Sequence, residues 1–75
     1  MSAKLPAVGG AQLVRALERA GFRVVRIHGS HHVLQHADGR STSVPVHGRA
    51  ALRRGTLAAI LKNVGLTADD LRALL

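Results

Sequence analysis

The chain has no cysteine, tryptophan or tyrosine, and Phe22 is the only residue of the Phe/Trp/Tyr class. Without cysteine there are no disulfides and no thiolate metal sites to steady a small core, and such usage fits a reducing compartment. Without aromatics, a sheet that stacks bases as an RRM does is excluded. Acidic residues are scarce: Glu18, Asp38, Asp69 and Asp70. They fall in a helical pattern, a turn signal and a helix start, so neither paired carboxylates nor a Ser-His-Asp relay is expected. No run approaches the roughly 20 apolar residues of a membrane helix. The opening Met1-Ser2-Ala3-Lys4-Leu5-Pro6 lacks the build of a signal peptide. A soluble cytoplasmic protein with no membrane partner is expected.

What is abundant is positive charge. Eleven Lys and Arg give a formal +7 on 75 residues. Ten of the eleven lie between Arg15 and Arg72, within the expected fold and not on a tail. A field of this sign favours an anionic partner, of which a nucleic-acid backbone is the commonest; an acidic protein or an anionic surface fits the same charge, and an Arg- and Ala-favouring GC-rich genome would also produce the bias. The length predicts one domain over residues 1–75, burying roughly 60% of the surface of the unfolded chain.

Residues 1–9, punctuated by Pro6 and Gly9, read as a flexible arm. From Ala11 the period becomes helical: Leu13, Leu17 and Ala20 form an apolar stripe with Val14 beside it, and Gly21 follows as a left-handed terminator. Phe22 to Ile27 is β-branched and aromatic and predicts a strand. Gly29-Ser30 breaks it. His31 to Ala37 predicts a second strand. Ala37-Asp38-Gly39-Arg40 is a hairpin turn signal, and Ser41 to Val46 a third strand, with Thr42, Val44 and Val46 on one face and Pro45 near its end. After a connection over 47–55, Leu57, Ile60, Leu61 and Val64 mark a second helix, with Thr56 as expected N-cap and Gly65 as terminator. Thr67 caps a short last helix whose first turn holds Asp69 and Asp70 and whose apolar side is Leu71, Leu74 and Leu75. The expected class is α+β in the order α-β-β-β-α-α: a three-stranded antiparallel sheet, helices on one face, the other face open.

Five histidines are the densest chemical signal: His28, His31, His32, His36 and His47. Metal ligation would need them to converge. On strands, however, His32 and His36 share a face with Leu34, whereas His31 shares one with Val33 and Gln35. No metal and no other cofactor is expected. Surface placement without a role suits His28 and His36. An acid–base role is the third reading, because histidine titrates nearest neutral pH. A metal-free ribonuclease needs a base for the ribose 2′-OH, an acid for the leaving oxygen and positive charge around the phosphate. Leu34 belongs with the helices, which leaves His31 on the open face and makes His32 its packed neighbour. Gly29 permits close backbone approach, and the Ser30 hydroxyl can hold a phosphate oxygen.

The ordered pieces Leu17 to Phe22, Arg26 with Gly29-Ser30-His31-His32, Val44-Pro45 with His47, and Gly55-Thr56-Leu57 with Ile60 and Gly65-Leu66 resemble the HicA toxin family, the ribonuclease half of HicA–HicB toxin–antitoxin modules. The resemblance spans Leu13 to Leu75. It implies a fold like a double-stranded-RNA-binding domain, α-β-β-β-α with a short extra C-terminal helix. It further implies a metal-independent mRNA endonuclease whose single catalytic histidine, the one directly after Gly-Ser, is His31, and a HicB-like antitoxin that covers the site in a hetero-oligomer. The family often has Lys or Arg immediately before Gly-Ser; here the residue is His28, with Arg26 two positions earlier. Supporting candidates around the scissile phosphate are Arg23, Arg26, Arg53, Arg54 and Lys62, with His32 and His47 in reserve. The alternative is a non-catalytic RNA- or DNA-binding module of the same fold. A corepressor acting through its partner ranks below both.

Overall fold

A computed structural model describes residues 4–75; the first three residues of the expected arm lie outside this range. The elements run α1 (Gly10–Arg19), β1 (Phe22–His28), β2 (His31–His36), β3 (Ser41–Pro45), α2 (Arg54–Val64) and α3 (Ala68–Leu74). The strands form one antiparallel sheet in the order β1-β2-β3, so the expected α-β-β-β-α-α architecture is the observed one.

Alternation along the strands decides which side is buried. Phe22, Leu34, Thr42 and Val44 point to the helices and are buried. They meet the apolar stripes of α1 (Leu13, Val14, Leu17), α2 (Leu57, Ile60, Leu61, Val64) and, through Leu71, α3. Helix α1 packs on β1 and β3, α2 on β3, and α3 on α1. The opposite face of the sheet carries no helix.

Four expectations are corrected. The arm is packed from Leu5 onward: Val8 is 2% exposed, Leu5 lies against the core, Gly9 pairs with Ala51, and the Leu52 N–H donates to the Val8 carbonyl at 2.8 Å. The Pro and Gly there punctuate an extended segment that finds partners in residues 51–52, a long-range pairing that local composition does not report. The N-cap of α2 is Arg53, not Thr56. The first helical bond runs from the Leu57 N–H to the Arg53 carbonyl at 2.9 Å, because bringing Leu57 into the core requires a full turn before it. Leu75 is half exposed, and Ala68 takes the buried place in α3 beside Leu71. Finally, β3 ends at Pro45; Val46 leaves the ladder but still donates its N–H to the Ser30 carbonyl at 2.7 Å.

Two clasps close the fold at the end far from Ser30. Arg40 reaches from the β2–β3 turn to the Val64 carbonyl at the end of α2, lies over the Phe22 ring at 5.1 Å and is paired with Asp38. In α3 the Thr67 hydroxyl accepts from the Asp70 N–H at 3.0 Å, the cap read from the sequence, and the Asp70 carboxylate in turn accepts from the Thr67 N–H at 2.9 Å.

Candidate active site

His28 and His31 are directly paired across the β1–β2 turn, separated only by Gly29 and Ser30. Gly29 has φ +56°, a left-handed conformation that glycine adopts without steric cost. The two-residue turn therefore presents His31 at the very start of β2. The His31 ring is exposed on the helix-free face, with Pro45 of β3 as its other cross-strand partner.

The chain carries a β-bulge at Val25: Val24 pairs with Leu34, but Arg26 pairs with Val33. The extra residue resets the alternation. Arg23, Arg26 and His28 consequently all stand on the same face as His31, Val33 and Gln35. Without the bulge Arg23 and Arg26, three positions apart, would face opposite sides. Arg26 is exposed and diagonal to His31 across the β1–β2 pair. No acidic side chain within ion-pair distance of it is found among the described residues; the ion pairs there are His36–Asp38, Arg40–Asp38 and Arg72–Asp69.

His32 lies on the other face, opposite Ile27 and Val44. It is half-buried, and its Nδ1 is buried without a hydrogen-bond partner among the described residues. It is the packed neighbour that alternation predicts. His36 is spoken for: its Nδ1 lies 3.1 Å from both the Asp38 N–H nitrogen and an Asp38 carboxylate oxygen, and its ring packs edge-on to Phe22 at 5.0 Å. The histidines are thus distributed over both faces of the sheet, and among the described residues no three His, Asp or Glu converge as a metal site would require.

The connection after β3 brings a second group toward this end of the sheet. A cavity of about 410 Å³ is walled by Pro45, Ala50, Ala51 and Leu52, with His47, Arg53 and Thr56 as its polar lining. Pro45 is common to this cavity and to the cross-strand pair with His31. Arg54, the first residue of α2, is exposed but does not line the cavity. Lys62 sits in the last turn of α2, the end that Arg40 ties to the β2–β3 turn, and the fold does not bring it to His31. Sequence reasoning passed over Ala50, Leu52 and Thr56 as cavity residues because the connection has no period to read.

A family model described as HicA toxin of bacterial toxin-antitoxin matches residues 10–66. The chain belongs to the HicA toxin family. The matched segment starts at the first residue of α1 and ends just after α2, so it contains the whole sheet, Gly29-Ser30-His31 and the cavity residues. Comparison with curated proteins gave no match. The helix-free face of the sheet is basic and carries two exposed histidines, His28 and His31, paired across the Gly29-Ser30 turn. Among the described residues no helix is long and apolar enough to cross a membrane.

Proposed function

We propose that this HicA-family chain is a metal-independent endoribonuclease toxin that cleaves mRNA, with His31 as its single catalytic histidine. The observation that carries the reading is the exposure of His31 on the open face, beside Arg26 and directly after the Gly29-Ser30 turn. RNA supplies its own nucleophile. His31 takes the proton of the ribose 2′-OH as that oxygen bonds to the adjacent phosphorus; the P–O5′ bond breaks and the departing oxygen takes a proton from the imidazolium or from water. Arg26 offsets the charge that accumulates on the phosphate oxygens. The left-handed Gly29 keeps the turn free of side-chain bulk, with open space around it. One general acid–base group contributes about 10²–10⁴-fold, which suits a slow toxin. A HicB-like antitoxin silences the protein in the cytoplasm by covering this face, its acidic side chains meeting the unpaired arginines.

The test is cleavage of a long mRNA in EDTA by the native chain and His31→Ala, alongside RNA binding by both. The expected result is cleavage by the native chain and a loss of about 10²–10⁴-fold in the variant, with binding retained. If native protein and variant bind RNA equally and neither cuts it, the chain is a binding module without chemistry. Equal cutting by both removes His31 from the reaction, and loss of cutting with EDTA alone brings a metal back into it.

A further inference from the structure

The cavity behind Pro45 gathers His47 and Arg53, two of the supporting candidates, with residues that the step at His31 does not use. Its lining combines apolar residues (Pro45, Ala50, Leu52) with polar ones (His47, Arg53, Thr56). Pro45 pairs with His31 across the sheet, and paired residues in an antiparallel ladder sit about 4.5–5.5 Å apart at Cα. Pro45 therefore joins the wall of the cavity to the strand position beside the histidine. Its volume of about 410 Å³ lies in the range of small-ligand sites, enough for one base.

The wall is also held in advance. The Ala50 N–H donates to the His47 carbonyl at 3.2 Å, and the Leu52 N–H to the Val8 carbonyl at 2.8 Å; Gly9 pairs with Ala51, and Val8 is anchored in the core. A site already in shape avoids the ordering cost of forming around its ligand. Thr56, relieved of the capping role by Arg53, has its side chain available to the cavity.

We propose that this cavity is a subsite for a single unpaired RNA base flanking the scissile phosphate. Arg53 meets the backbone phosphate, and His47 and Thr56 read the edge of the base. The proposal rests on the ribonuclease reading for the identity of its ligand. It makes the substrate single-stranded at the cleavage point, although the sheet faces outward as in a duplex-binding domain: RNA sequence is read on bases splayed out of a helix, and the open face of the sheet has no Phe, Tyr or Trp to stack them.

The experiment uses the full chain, ¹⁵N-labelled, titrated with the four homopolymeric 2′-O-methyl trinucleotides, which lack the 2′-OH nucleophile and remain intact. Amide shifts are expected at His47, Ala50, Leu52 and Thr56, with affinities that differ among the four bases. Ala50→Trp fills the cavity from an exposed position, so the fold should be kept; it is expected to weaken the preferred trinucleotide about tenfold and to level the four affinities. Thr56→Val, nearly isosteric, should level them without blocking entry. Absence of trinucleotide binding, shifts confined to the sheet face, or an Ala50→Trp variant that binds all four like the native chain each overturns the proposal. So does an Ala50→Trp variant that loses only the antitoxin, which would make the cavity a protein contact. If the shifts and the effect of Ala50→Trp are found while the native chain leaves mRNA uncut, the base site stands and the ribonuclease reading falls.

Discussion

At the scale of single residues, Gly10 shows how closely the site depends on packing behind it. It is buried at the start of α1, and a Cβ there would lie 2.8 Å from the Val46 Cα and run into the Pro45 carbonyl. A helical Gly→Ala change ordinarily gains about 0.5–1 kcal/mol, but forcing atoms into a packed contact costs about 1–3 kcal/mol. Overpacking against backbone should win. Gly10→Ala is expected to lower stability by about 1–2 kcal/mol in urea unfolding and, since Pro45 is the cross-strand partner of His31, to slow cleavage as well. A stabilised variant would show that the contact yields freely. The identity of Gly10 as the residue that lets α1 approach β3 was invisible in the sequence, where it stands simply beside Gly9. The pairing of His31 with the open face was legible, because it follows from strict alternation about Leu34.

At the scale of elements, the β2–β3 hairpin carries the clearest pH dependence. Asp38 is lowered from 3.8 to about 2, chiefly by the Arg40 guanidinium hydrogen bond and then by the Arg40 backbone N–H. A carboxylate lowered on folding contributes stability that is present above its unfolded value and lost as pH falls through the folded one. The melting temperature is therefore expected to drop between about pH 4 and about pH 2, and Asp38→Asn to flatten part of that slope. Part of the slope should remain, because Asp70 is lowered too, by the Thr67 N–H and then the Thr67 hydroxyl. A native and a variant curve of identical shape over this interval would remove the clasp from the account. The hairpin itself was readable from Asp38-Gly39, a local turn signal. The reach of Arg40 to Val64 was not, since 24 residues separate them. Nor was the Val25 bulge, which places Arg23 and Arg26 on one face: a bulge is an event between two strands, and one strand's composition does not announce it.

At the scale of the whole molecule, charge is the main determinant. Of four acidic residues, Asp38 and Asp69 are engaged by Arg40 and Arg72, which leaves Arg26, Arg53 and Arg54 without acidic partners among the described residues. If single-stranded RNA engages four phosphates through these and neighbouring cations, log K should fall against log salt with a slope of about −2.8, a loss of roughly fiftyfold from about 50 to about 200 mM. Filter binding or fluorescence anisotropy across that range measures the slope. A slope near zero would mean that the positive field serves something other than a phosphate backbone. Replacing Arg54 should reduce the slope by about 0.7 with no change of base preference, unlike a change at Thr56.

Composition, periodicity and turn chemistry determined the order of the elements, the buried stripes of α1 and α2, the two glycine-dependent strand connections and the placement of His31 on the open face with His32 on the other. All of these depend on interactions within a few residues, or on the two-residue and 3.6-residue periods that burial imposes. Tertiary structure alone decided the rest: the packing of Val8 in what reads as an arm, the start of α2 at Arg54, the bulge that gathers the arginines, and the cavity joined to His31 through Pro45. Each of these arises where segments distant in sequence meet, and the choice there depends on which backbone groups find partners and how closely two chains can approach. Gly29-Ser30-His31 marks where catalysis is proposed; the fold supplies the neighbours that would give it a substrate.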